Sequence, residues 1–385
     1  MARTKYWLWF SSVPGLTAAQ KCRILEEMGA PDKVFFAERE ELLACPSVRE
    51  KDLDKLLDKS MERVNRILTV CEEKGIRILT RQDADYPERL RHIPEPPAVL
   101  YVWGKLPPVD DLAAVAIVGT RKATPYGLKM AQKLGAEISE AGGLVVSGLA
   151  EGIDSAAMEA AIRTGGSSIG VLGTAIDEVY PKFNKPLFEK VRTVGALVSE
   201  YPPGMRTYPS DFKMRNRLIA GLSLGVVVVE APGRSGSLDT AGHALEQNRD
   251  VYAVPGNADA PAFAGCLKLI REGAEPVTCG DDVMCHYASR FARMEAKSAP
   301  TQFKKEIDKK KDLLYIDLRE KIQSLPEHQR LVALAMTEPE MQAEDIIEKT
   351  GLTASQVSTA LTLLQIGGFV RAGSGRRYTL DIKKG

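Results

Sequence analysis

Between residues 113 and 290 the chain alternates short, unbroken apolar runs with segments of helical period. The runs cover 114–118, 144–147, 168–172, 196–199, 225–229 and 251–254. A strand with no polar alternate is apolar on both faces, which predicts a parallel sheet sandwiched between helices. The expected fold class is α/β: a Rossmann-like, doubly wound, mainly parallel sheet.

The flanking regions carry other patterns. Residues 1–72 read as a helical domain. An aromatic first segment (Tyr6, Trp7, Trp9, Phe10) is followed by the turn Val13-Pro14-Gly15-Leu16 and a helix capped by Thr17. That shape is either a plain helical bundle or a helix-hairpin-helix, whose loop amides hold a DNA phosphate. Residues 73–290 form the extended α/β domain, which begins with short strands at Ile76–Thr80 and Val99–Trp103. The proline-rich stretch between them reads as an extended connector without helix. Residues 291–321 are charge-dense (Lys304, Lys305, Lys309, Lys310, Lys311) and read as a solvated linker. In residues 322–385, helical patterns at Glu327–Met336, Ala343–Thr350 and Thr353–Ile366 precede two short strands around a Gly-Ser-Gly turn, the plan of a winged helix. Its third helix has no basic residue, so protein interaction or weak duplex contact is favoured over sequence-specific reading.

The polar residues that interrupt the apolar pattern sit where α/β proteins bind ligands, outside the carboxyl ends of the strands. Gly119, Arg121 and Lys122 follow the first run, and Ser147 and Gly148 close the second. Phe212 and Lys213 lead into Arg215-Asn216-Arg217, which reads as the start of the helix before the fifth run. Ser235-Gly236-Ser237, with Arg234, follows that run and Glu230. Guanidinium groups grip phosphate bidentately, Ser-Gly-Ser offers amides and hydroxyls, and Phe212 offers a ring on which a base can stack. Taken singly, each has a plainer reading: an arginine in a structural ion pair, Phe212 in the core, Asp154 as a helix cap. Convergence on one rim is what points to single-strand binding.

Other chemistries fit less well. The dinucleotide fingerprint GxGxxG is absent, and the second run ends in Ser147-Gly148 rather than an acidic residue. Hydrolysis would have to draw on Glu200, Glu230 or Asp239, and His243 falls inside a helix. No Ser-His-Asp set and no metal cluster can be assembled from the spacing, so neither catalysis nor a cofactor or metal is expected.

Charge narrows the picture. With 52 Lys plus Arg against 51 Asp plus Glu, the net charge is only +1, so a positive field for nucleic acid must be local. The six cysteines form no CxxC pair, which reads as free thiols in a reducing compartment. No apolar run approaches the ~20 residues that span a bilayer. A cytoplasmic protein without membrane contact is expected.

At these positions the chain resembles the DNA-processing protein A family (DprA, also called Smf). The resemblance rests on VAIVGTR at 115–121, VVSGLAEGID at 145–154, Tyr180-Pro181 with Asn184, and SEYPPG at 199–204. It continues in RNRLIAGLS at 215–223, VVVVEA at 226–231, SGSLDTAGHALE at 235–246, and LIREGA at 269–274. It implies a homodimer formed through the Rossmann-like domain that binds single-stranded DNA, protects incoming DNA and loads the RecA recombinase in natural transformation of competent cells. It also implies that the N-terminal helices are like a sterile-alpha-motif domain. The implied DNA-binding residues are Gly119, Arg121, Lys122, Ser147, Gly148, Phe212, Lys213, Arg215, Asn216, Arg217, Ser235, Gly236 and Ser237. The chain departs from the family's usual pattern at Met158, where a histidine is common, at Lys213, where proline is common, and in Gly265-Cys266-Leu267, where the family tends to have Gly-x-Asn. The likeness of Pro232–Ser237 to the loop of phosphoribohydrolase-like proteins keeps one alternative open, a nucleotide-binding sensor or enzyme.

Overall fold

The structure, a computed structural model, describes residues 3–291, 325–336, 341–367, 369–372 and 377–380. The chain divides into two compact units, Met1–Ala299 and Pro300–Gly385.

The first unit is built on nine strands: β1 (Ile76–Thr80), β2 (Val99–Gly104), β3 (Ala114–Val118), β4 (Leu144–Ser147), β5 (Ser168–Leu172), β6 (Ala196–Ser199), β7 (Gly225–Val228), β8 (Asp250–Ala253) and β9 (Glu275–Pro276). Their order in the sheet is β1-β2-β6-β5-β4-β3-β7-β8-β9. The seven strands from β3 onward pair in parallel. The hairpin β1–β2 adds to the β6 edge antiparallel. All six expected runs are strands of this sheet, and β1, β2 and the two-residue β9 extend it.

β3 shows why the runs are unbroken. Val115 and Ile117 pack into one apolar cluster while Ala114, Ala116 and Val118 pack into another. Successive side chains of a strand point to opposite faces, so two covered faces require apolar residues at every position.

Six helices precede the sheet: α1 (Thr4–Ser12), α2 (Ala18–Met28), α3 (Pro31–Phe36), α4 (Arg39–Ala44), α5 (Glu50–Leu57) and α6 (Glu62–Lys74). The hydroxyl of Thr17 accepts from the Gln20 amide at 3.2 Å and caps α2, as expected. The helical core of Trp7, Leu8, Phe10, Leu53 and Leu56 runs on without a break into the cluster under Val115 and Ile117. The N-terminal helices therefore share one core with the sheet. In the proline-rich connector the expectation of no helix was too strict. α7 (Glu88–Arg91) fits a single turn between Pro87 and Pro94, because proline is tolerated just before a helix begins.

The sheet is covered by α8 (Pro125–Glu140), α9 (Ile153–Arg163), α10 (Lys185–Val194), α11 (Pro209–Leu222), α12 (Gly236–Glu246), α13 (Ala264–Arg271) and α14 (Gly280–Met284). α11 begins six residues before Arg215, so the Arg-Asn-Arg segment lies in its second turn instead of opening it. Asp154 lies inside the first turn of α9, whose cap is Gly152, and is not the cap itself.

The second unit has helices at Glu327–Ala335, Ala343–Thr350 and Ala354–Ile366, with a small antiparallel sheet of β10 (Met341–Gln342), β11 (Val370–Ala372) and β12 (Arg377–Leu380) in the order β10-β12-β11. Val332, Ile346, Val357, Leu361 and Leu364 form its core. This is the expected winged helix, with β10 as an addition. The expected linker lies outside the described residues from 292 on, and so does the turn at 373–376.

α8 and α9 pack closely enough to require glycine at 135. A Cβ there would sit 2.2 Å from the Ala157 carbonyl oxygen of the neighbouring helix. Gly135→Ala is expected to lower unfolding stability by about 1–3 kcal/mol. The exposed substitution Lys129→Ala should stay within about 0.5 kcal/mol. Urea titration followed by circular dichroism measures both.

Candidate nucleic-acid interface

The loops after β3, β4 and β5 meet around one cleft, with Arg215 at its base. Its guanidinium donates to the Gly148 carbonyl at 2.9 Å and to the Val171 carbonyl, and its Nε donates to the Asn216 side-chain oxygen at 3.3 Å. Asn216 in turn donates from Nδ2 to the Gly236 carbonyl at 3.1 Å, which ties α11 to the Ser235–Ser237 loop. Gly148 is required here, because a Cβ would lie 2.6 Å from the guanidinium. Burial lowers the pKa of Arg215 to about 10, against the opposing pull of Asp154, so the group stays charged at neutral pH. Burial pushes the Asp154 carboxyl above its usual range. Arg215 and the amides of Ala150 and Gly148 pull it back.

Arg215 is only 6% exposed, so it organises the rim from inside. What faces solvent is a ladder of charge and rings. The exposed Arg121 lies over the Phe212 ring at 5.7 Å, and Phe212 in turn packs against Tyr180 with centroids 5.2 Å apart. Tyr180 is 45% exposed. A small cleft of about 60 Å³ opens beside the ladder, lined by Arg121, Gly148, Ala150, Glu151, Tyr180, Pro181, Phe212 and Arg215. A guanidinium and two aromatic rings in contact, with part of each ring open to solvent, suit a phosphate backbone with unpaired bases.

The remaining expected residues divide between surface and support. Lys122 and Lys213 are exposed near the ladder. Gly119 is half-buried, where a Cβ would meet Ile153. Ser147 is fully buried and donates to the Ile117 carbonyl at 2.6 Å, so its hydroxyl serves the sheet. Ser235 caps α12 and its hydroxyl bonds that of the buried Ser237 at 2.8 Å, with Gly236 exposed between them. Arg217 does not join the ladder. Two residues along a helix from Arg215, it points elsewhere and is closed in an ion pair with both oxygens of Glu200, at 3.0 and 2.7 Å. Tyr180 was visible in the sequence only as half of a Tyr-Pro pair. Nothing there placed its ring against Phe212.

The carboxylates are similarly committed. Glu230 is fully buried and accepts from the amide of Thr124 at 3.1 Å and from its hydroxyl at 2.8 Å. Thr124 caps α8, so this carboxylate sits at the helix N-terminus where a Rossmann-like protein would hold a dinucleotide's pyrophosphate. Asp239 is exposed on α12, and His243 bonds Glu246 at 3.1 Å. Among the described residues no group of His, Cys, Asp and Glu is placed to hold a metal, and no helix is long and apolar enough to cross a membrane.

A doubly wound, mainly parallel α/β sheet with a cation-and-ring cleft at its strand ends, and a winged helix further along the chain, define a Rossmann-like protein with an appended winged-helix unit. Comparison with known proteins narrows the class. The family model for DNA recombination-mediator protein A matches residues 77–288, and the DprA winged helix model matches residues 319–376. The chain is 32% identical to Protein Smf of Synechocystis over 97% of its own length and 98% of that protein's. It is 37% identical to DNA processing protein DprA of Bacillus subtilis over 61% of this chain and 80% of that protein. The X-ray structure of DprA from Streptococcus pneumoniae superposes with a TM-score of 0.64 at 34% identity, covering 73% of this chain and 97% of that one. A second structure, described as showing the single-stranded DNA binding mode of DNA processing protein A from Helicobacter pylori, superposes with a TM-score of 0.51 at 26% identity, covering 56% of this chain and 97% of that one. The chain belongs to the DNA recombination-mediator protein A family, the DprA or Smf proteins.

The ion pair of Arg217 generates a prediction. Glu200→Ala leaves a buried guanidinium uncompensated and is expected to destabilise the fold by about 3 kcal/mol. Adding Arg217→Met should recover most of that loss. Chemical denaturation of the parent, Glu200→Ala, Arg217→Met and the double variant, read as a double-mutant cycle, measures the coupling.

Proposed function

We propose that this protein binds single-stranded DNA across the cleft beside Arg121, Phe212 and Tyr180, protects incoming DNA in the cytoplasm and delivers it to the RecA recombinase. The observation that carries the reading is the ladder itself: an exposed guanidinium at 5.7 Å over a ring that packs, tilted by 50°, against a second, half-exposed ring. Charge without a base-edge reader suits backbone neutralisation and stacking, so binding is strongly salt-dependent and nearly indifferent to sequence. The Helicobacter pylori relative described by its single-stranded DNA binding mode supports the same ligand. The role is binding and not catalysis, and the protein acts as a homodimer through the Rossmann-like domain. A free nucleotide bound in the dinucleotide manner is disfavoured, because Glu230 already occupies the N-terminus of α8 and would repel its phosphate.

Fluorescence anisotropy with a labelled oligothymidylate tests the proposal. Phe212→Ala is expected to weaken binding by about 1–3 kcal/mol, the worth of one stacked base. Arg121→Ala should weaken it too and reduce the slope of log K against log salt by about 1. Full affinity in both variants, with thermal melting unchanged, would overturn the assignment.

A further inference from the structure

A groove of about 1280 Å³ runs between the N-terminal helices and the loops that follow β5 and β6. Sites that take a single small molecule are about 300–1,000 Å³, so this one has room for an extended chain. One wall is the turn at 13–16 with Lys21 of α2 and Arg63 and Arg66 of α6, and the other carries Arg206, Tyr208 and Met214. Two of the groove's three carboxylates are already answered, Asp177 by Lys74 at 2.6 Å and Glu200 by Arg217 at 2.7 Å. That leaves Lys21, Arg63, Arg66 and Arg206 facing Glu73, a local excess of positive charge in a chain whose overall charge is near zero.

The groove repeats the chemistry of the cleft. Arg206 lies over the exposed Tyr208 ring at 5.4 Å, as Arg121 lies over Phe212. The two also share walls. On α11, Phe212 and Arg215 line the cleft while Met214 lines the groove, and in the loop after β5, Tyr180 lines the cleft while Asp177 lines the groove. The two sites lie on different faces of α11, so a strand leaving the cleft has to pass around a helix about 10–12 Å across to reach the groove. Lys21 is anchored on the Ser11 carbonyl, and burial lowers its pKa to about 8. A phosphate beside it would favour the charged form.

We propose that this groove is a second site for single-stranded nucleic acid, which receives the segment of backbone leaving the cleft, so that the N-terminal helices lengthen the binding track. The proposal rests on the cleft reading given above. An acidic peptide is the competing occupant.

The test uses the full chain and two labelled oligothymidylates, of about 6 and about 25 nucleotides, since a single binding module covers about 4–16. The combined variant R63A/R66A/R206A changes three exposed side chains. It is expected to bind the short oligonucleotide like the parent and the long one on the order of tenfold more weakly, with the salt slope for the long one lower by about 2–3. Arg66→Glu alone should act in the same direction, and thermal melting monitors folding. Parental affinity and slope on the long oligonucleotide would overturn the proposal and leave an acidic peptide as occupant, and equal losses on both lengths would overturn it as well. If Arg121→Ala with Phe212→Ala leaves short-oligonucleotide binding intact while the groove variant still weakens the long one, the cleft assignment falls and the groove stands as the DNA site.

Discussion

The rim of the sheet depends on one buried charge. Arg215 reaches under the loops and takes two backbone carbonyls, that of Gly148 after β4 and that of Val171 near the end of β5. A guanidinium offers five donors in a fixed fork, so one side chain can bind both carbonyls and still hold Asn216. An uncompensated charge here would be costly. The field of Asp154, which is held by the Gly148 amide at 3.1 Å, works against that cost. Because Arg215 and Phe212 lie three residues apart on α11, anchoring one places the other at the surface. The ladder of Arg121, Phe212 and Tyr180 is thus built on an electrostatic knot that solvent does not reach.

A second commitment decides where a ligand can go. In Rossmann-like proteins the N-terminus of the first crossover helix attracts phosphate. Here Glu230 fills that role internally, and the Thr120 amide donates to its backbone carbonyl at 2.7 Å, joining the ends of β3 and β7. With the usual phosphate position closed, exposed positive charge lies to the side, over β4 and β5 and toward the N-terminal helices. A shallow cleft with rings suits a polymer better than a dinucleotide. The near-neutral overall charge is consistent with such local concentration.

How far the chain could be read in advance follows from what each physical signal carries. Runs apolar on both faces identify buried strands with little ambiguity, and the six central strands were legible from them. β9 was not, since two residues have no periodicity. A bound on helix from proline content missed α7, because proline restricts the residue before it and spares the turn after it. For the site, the sequence showed which residue types lie at strand ends but not whether they face in or out. Arg215 and Arg217 look alike as letters, yet one braces the rim, the other pairs with Glu200, and both are buried. Glu230 looked like a candidate base and is a helix brace. Tyr180 acquires its place only from the loop that brings it over α11. These outcomes depend on tertiary distances, which spacing along the chain does not encode.

The central claim is that unpaired bases stack on the Phe212–Tyr180 pair while phosphates follow the adjacent cations. Photo-crosslinking with an oligonucleotide carrying 5-iododeoxyuridine, followed by peptide mapping, tests it most directly, because the excited base attaches to aromatic side chains it stacks on. The account predicts the principal adducts on the peptides that contain Phe212 and Tyr180. Adducts confined to the winged helix, or spread without preference over exposed aromatic residues, would contradict it.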